Sequence, residues 1–178
     1  MVTQLDVAKE ALAQIGTRSK ITSLTDGSAE ATYVNLLYAP IRDFLLTEGD
    51  YDWSMLFATL VETGVPAFPW AFSYVYPAGA LRIRQLYPLS YEPLDPRPVE
   101  WTVAGVGGVR TILASEQIGE AAYVAPAIED LWDGIFRQAF VRMLGSALAF
   151  ALENRIEASK VKLDEALGFA GVGKLRDM

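Results

Sequence analysis

Two sets of carboxylates are the residues whose types and spacing could carry chemistry in this chain. Glu48, Asp50 and Asp52 form the first; Glu116, Glu120, Glu129, Asp130 and Asp133 form the second. Paired carboxylates can run glycoside hydrolysis or hold a divalent cation. No calcium-loop spacing is present and no histidine accompanies them, so solvated faces and helix caps are the better reading. The chain has no Cys and no His. That removes cysteine nucleophiles, disulfides, Cys/His zinc sites and the commonest general base. The glycine run GVGGVR, residues 105–110, lacks the third glycine of a dinucleotide loop and leads into a strand; it reads as a hairpin turn. Arg82 and Arg84 fall on one strand face with Tyr76 and Tyr87 near in sequence. Basic and aromatic residues on a sheet can hold single-stranded nucleic acid, but sheet-edge protection or a protein interface is the stronger reading. The dense aromatic set Trp53, Phe57, Phe68, Trp70 and Phe72 suits core packing or an interface equally. No catalytic, cofactor-binding or metal-binding set is expected.

Charge points the same way. The net charge is -7 over 178 residues, and the sequence pI is near 4.6. Gripping nucleic acid needs clustered Lys and Arg, whereas an acidic surface stands beside DNA without trapping it. The first residues, MVTQLDVAKEALAQIG, show no basic n-region, long apolar run or cleavage motif. The most apolar stretch, Met143 to Leu152, is shorter than the roughly 20 residues a bilayer takes. The expectation is a soluble, intracellular chain with no membrane partner.

Elements that would position these residues follow from periodicity. Val2, Leu5, Ala8, Leu12 and Ile15 recur at helical steps, with Thr3 as cap, Asp6 three residues on and Gly16 as stop. Small Ala8 leaves room for a close neighbour. Ser28 caps a second helix whose stripe is Val34, Leu37, Tyr38, Ile41 and Leu45, ending at Gly49. Pro40 inside it predicts a kink or two abutting helices. Residues 54–125 are rich in Gly and Pro and in short alternating runs. They read as one small antiparallel sheet in which FSYVY and LRIRQLY are joined by the turn PAGA. Helical spacing returns at Pro126, with Glu129 and Asp130 in the first turn and a broad apolar face. After a break at Glu153–Asn154, a last helix carries Ile156, Leu163 and Leu167 up to Gly168.

The order of these features resembles one family. ALAQIG closing the first helix, SLTDGSAEA in the loop, NLLYAPIRDFLL in the second helix and the acidic–aromatic exit YDW look like the tail tubular protein A family. These are head-to-tail connector (adaptor) proteins of short-tailed phages. The similarity continues through YPAGALRIRQLYP, the long helix LWDGIFRQAFVRMLGSALAFAL and SKVKLDEALGFA. It departs at GDYDWSM, where the family pattern carries Pro-Trp-Asn-Phe.

The resemblance implies a mainly α chain of the α+β class: a four-helix bundle (residues 1–53 and 126–168) with an inserted antiparallel β region (54–125) and a carboxy-terminal arm (169–178). It implies a structural protein of the virion neck, assembled in the host cytoplasm, and not an enzyme. Its partners would be copies of itself in a dodecameric ring, the portal, the tail or nozzle protein, and DNA passing without sequence-specific contact. Phe169, Val172, Lys174, Leu175 and Arg176 of the arm are the candidate portal or neighbour contacts. Glu48, Asp50, Asp52, Glu116 and Glu120 are the candidate channel-lining residues. Two other readings compete: a small helical regulatory or nucleic-acid-binding protein, and a carboxylate-dependent hydrolase.

Overall fold

Capping chemistry opens the first two helices. Thr3 accepts the Asp6 N–H (3.2 Å) while Asp6 accepts the Thr3 N–H (3.0 Å), a reciprocal capping box that starts α1, Gln4–Gln14. Ser28 accepts the Ala31 N–H at 3.1 Å and starts α2, Ala29–Glu48. The computed structural model describes residues 1–16, 21–64, 66–91 and 97–153. The expected last helix, up to Gly168, and the arm 169–178 lie outside these described residues.

One helix runs through Pro40, where two abutting helices were an alternative expectation. Pro40 supplies no N–H to the Leu36 carbonyl, but both residues are exposed, so water can take that carbonyl. The third helix, α3, spans Gly134–Glu153 and starts later than the spacing suggests. Asp133 sets the start, its carboxylate accepting the Phe136 N–H at 2.7 Å. Glu129 and Asp130 therefore lie in a preceding single turn of 3₁₀ helix, Glu129–Leu131, and not in the first turn of α3.

The described residues form two compact units: residues up to Ser54 with those from Pro126 on, and Met55–Ala125. In the first unit α3 packs on both α1 and α2. Val7, Ala8, Ala11, Val34, Tyr38, Leu45, Phe136, Phe140, Leu144 and Leu148 are buried in this unit. A Cβ on Gly145 would stand 3.2 Å from the Ala11 carbonyl oxygen, so the α1–α3 approach depends on small residues. The stretch Gly134–Leu152 has the length and mean hydropathy (1.3) to cross a membrane, yet half of it is buried within the protein, as for the core helix of a folded unit.

The second unit corrects the expected architecture. Six strands form two three-stranded antiparallel sheets, not one. They are β1 (Met55–Thr59), β2 (Phe72–Val75), β3 (Arg82–Pro88), β4 (Trp101–Val106), β5 (Val109–Ala114) and β6 (Ile118–Val124). One sheet has the order β1-β6-β3 and the other β2-β5-β4. FSYVY and LRIRQLY thus do not form a hairpin; PAGA carries the chain from one sheet to the other. Tyr74, Ile112 and Ala114 of one sheet share a buried cluster with Ile83, Leu86, Ile118, Ala121 and Tyr123 of the other. A single sheet of this size would leave one of those faces wet. A mainly α four-helix bundle is therefore not the fold. Among the described residues there are three α-helices beside a β unit with its own core.

Register details place the faces. In β3 the pairing shifts between Ile83 and Gln85, so Arg84 sits in a bulge. Without it Ile83 and Leu86 would point to opposite faces; with it both are buried in the core. Arg82 and Arg84 both lie off the buried face that Ile83 and Leu86 share. Beyond β1 the chain bends from one sheet to the other. Leu60 N–H donates to the Gly119 carbonyl (3.0 Å), while Val75 N–H donates to Val61 (2.9 Å) and Thr63 N–H to Ser73 (2.8 Å). Gly107 and Gly108 make the β4–β5 turn with φ of 60° and 81°, the left-handed pair a two-residue hairpin requires.

Candidate functional site

The carboxylates divide between structural and solvated positions. Asp133 caps α3 and also accepts the Trp53 indole N–H at 3.0 Å. Glu129 accepts the Tyr38 hydroxyl at 3.0 Å. Burial, and then the Glu129 carboxylate, push the Tyr38 phenol far above its ordinary range, so it stays a donor. Asp130 accepts the Val2 N–H. These three acids thus tie the segment before α3 to Val2 ahead of α1, to α2 and to Trp53. Around them Tyr38, Tyr51, Trp53, Trp132, Phe136 and Phe140 form one aromatic cluster. Phe136 stands 5.0 Å from Tyr51, 5.0 Å from Trp53 and 4.8 Å from Trp132, all edge to face.

The five candidate channel residues fall in two places. Glu48 ends α2, Asp50 follows it, and Asp52 opens the 3₁₀ turn Asp52–Ser54. Glu116 lies in the β5–β6 turn, and Glu120 lies on β6 opposite Thr59 and Tyr87. The first three belong to the helical unit and the last two to the β unit. Among the described residues no group of three or more His, Cys, Asp or Glu is placed to hold a metal ion. The portal-contact candidates Phe169, Val172, Lys174, Leu175 and Arg176 lie outside the described residues.

The aromatic set read from the sequence is dispersed. Trp53 joins the helical cluster, and Phe72 packs against the β core. Phe57 is 56% exposed and Phe68 98% exposed. Phe57, Tyr87 and Tyr91 form an outer aromatic row, with ring centroids 6.2 Å and 5.0 Å apart. Tyr76 sits with Arg110, whose guanidinium carbon is 4.0 Å from the ring centroid. Arg110 and Tyr76 were legible separately, but only β2–β5 pairing brings them together.

Two surface features remain on the helical unit. Leu36, Pro40 and Phe44 follow one another at four-residue steps on the face of α2 opposite its buried stripe. Leu36 is 65% and Phe44 42% exposed. An open groove of about 480 Å³ runs between α1 and α3, lined by Glu10, Gln14, Arg137, Gln138 and Val141 among others. Glu10 and Arg137 close on each other there in a two-pronged ion pair, so neither group is poised for a ligand. Leu36, Pro40 and Phe44 leave apolar surface exposed on α2.

No protein-family model matches the sequence, and no curated protein matches it significantly.

Proposed function

We propose that this chain is a structural head-to-tail adaptor of a tailed phage. It assembles into a closed, dodecameric ring between the portal and the tail or nozzle, around the channel through which DNA passes. The observation that carries the reading is the exposed row Leu36, Pro40 and Phe44 on α2. A 20-residue helix with an apolar stripe on each of two opposite faces has one face for its own core and one for a neighbour. A neighbour docked head to tail repeats the contact until a ring closes. The family resemblance of the sequence supports the same reading and supplies the portal and tail as partners.

Glu48, Asp50, Asp52, Glu116 and Glu120 then contribute to an acidic lumen. A lumen of that sign forms few phosphate contacts, so DNA slides instead of sticking. Residues 169–178 act as the arm that docks on the portal through Phe169 and Leu175, with Lys174 or Arg176 pairing partner carboxylates.

Electron cryo-microscopy of the native particle tests the proposal by counting symmetry at the neck. Twelve-fold density for this chain is expected, and Leu36→Glu with Phe44→Glu should abolish the ring while leaving the helical circular dichroism unchanged. An isolated monomer or a two-fold dimer in the native particle overturns it. Salt-dependent retention of duplex DNA by the free protein would favour the nucleic-acid-binding alternative.

A further inference from the structure

We infer that the outer face of the β1-β6-β3 sheet is a seat for the guanidinium of an arginine, carried by a basic segment of another protein. Register places the groups. Residues paired across neighbouring strands share a face, so Thr59, Glu120 and Tyr87 make one row and Phe57, Ala122 and Gln85 the next. Ile83, Leu86, Ala121 and Tyr123 enter the β core from the other face. β1 and β3 flank β6 and so lie about 10 Å apart, yet the Phe57 and Tyr87 ring centroids are 6.2 Å apart. The two rings therefore lean toward each other over the middle strand, where Ala122 is small and buried. Tyr91 adds a wall at 84° to Tyr87, its centroid 5.0 Å away.

Rings that converge inside a core need no further account, but these lie outside it. Phe57, Tyr91, Thr59 and Glu120 are all exposed. Aromatic faces are partly negative and attract cations, and the Glu120 carboxylate adds a full charge in the row of Tyr87. Among the described residues that carboxylate makes no ion pair or side-chain hydrogen bond. Arg82 and Arg84 stand at the far end of the sheet. Arg82 is opposite Val124, about 13 Å along β6 from Glu120, and the Arg84 Nη1 is 3.8 Å from the Met55 Sδ. The aromatic, acidic end of the face thus has no cation of its own among the described residues.

Charge and shape together choose the occupant. A guanidinium is flat, so it stacks on a ring while its N–H fork pairs with a neighbouring carboxylate; a compact ammonium does the first less well. The chain makes the stacked contact internally, where Arg110 lies over Tyr76. Leu89 is exposed and lies against Gly119, next to Glu120 in the chain. A small free cation would leave that apolar surface wet, whereas an arginine with apolar residues beside it covers both. A second copy of this chain is the poorer occupant, because two bodies of net charge -7 repel. The inference goes beyond the adaptor reading and does not use it: a filled seat takes Glu120 out of an acidic lumen and leaves the α2 contact unchanged.

Titrating the full-length labelled protein with an end-blocked Leu-Arg-Leu peptide, followed by nuclear magnetic resonance, tests the seat. Saturable shifts should cluster at Phe57, Tyr87, Tyr91 and Glu120. Citrulline in place of arginine keeps the shape without the charge and should weaken binding about tenfold. Glu120→Gln and Phe57→Ala should each weaken it about threefold. Both side chains are exposed, and unchanged spectra away from the face verify that the variants fold. Glu62→Gln removes the same charge beside the other sheet, where Glu62 bridges to Tyr74, and should leave binding as it was. Equal weakening by Glu62→Gln would mean that overall charge attracts the peptide, and the inference falls. It falls too if the citrulline peptide binds equally well, if the shifts cluster elsewhere, or if tetramethylammonium binds as tightly as the arginine peptide. Concentrating the protein alone should move none of these signals; if it does, the occupant is a second copy and the proposed one is wrong.

Discussion

Gly49 leaves no space for a side chain. A Cβ built there falls 2.1 Å from one Tyr51 ring carbon and 2.5 Å from another, and that ring is buried and wedged against Trp53 and Phe136. Gly49→Ala should cost about 1–3 kcal/mol through forced repacking, read as a lower urea midpoint with unchanged slope. The acid limb of stability has an equally local origin. The Thr3 hydroxyl, then its amide, hold the Asp6 carboxyl below its ordinary value, and the Ser28 hydroxyl and amide do the same for Asp26. Both groups are lowered in the folded state, so their contribution is present above the unfolded value and is lost as pH falls through the folded one. Helical signal should therefore decline below about pH 4, and Asp6→Asn should flatten that decline. An Asp6→Asn protein with the same acid profile as the parent would show that the capping carboxylate does not matter.

At the scale of elements, α3 holds two glycines with opposite roles. Gly134 opens the helix with nothing within 4 Å of an added Cβ, whereas Gly145 faces the Ala11 carbonyl at 3.2 Å and the Ile15 side chain at 3.6 Å. Gly134→Ala should stabilise the protein by about 0.4–1 kcal/mol, because it removes unfolded-state freedom at no packing cost. Gly145→Leu should destabilise it by about 1–3 kcal/mol, because α1 must move. Thermal melts of the two variants in one buffer check both signs, and a Gly145→Leu protein as stable as the parent would mean that the α1–α3 crossing yields easily.

For the molecule as a whole, the β unit has a core closed by residues from four strands. Ile112 is fully buried at its centre, and the Ile118 N–H donates to the Tyr74 hydroxyl at 2.8 Å from one sheet to the other. Ile112→Ala should cost about 2–5 kcal/mol. Amide exchange should show that loss first in β2, β5 and β6, with α1 and α3 amides keeping their protection. Uniform loss of protection throughout the chain would instead mean that the whole molecule unfolds as one cooperative body.

Local chemistry was legible in the sequence wherever neighbours along the chain supply it. The Thr3–Asp6 capping box, the Ser28 cap, the buried stripe of α2 and the glycine turn between β4 and β5 all follow from residue type and spacing of a few positions, because helix and hairpin geometry repeat over that distance. What needs partners remote in sequence was not. Asp133 starts α3 while binding Trp53, 80 positions away. β2 and β3 part into different sheets because their apolar faces are buried against each other's layer and not side by side. The Arg84 bulge and the pairing of Arg110 with Tyr76 depend on register. A period-two pattern says that a strand has a buried face; only the packed fold decides which strand lies beside it and which edge is left without one.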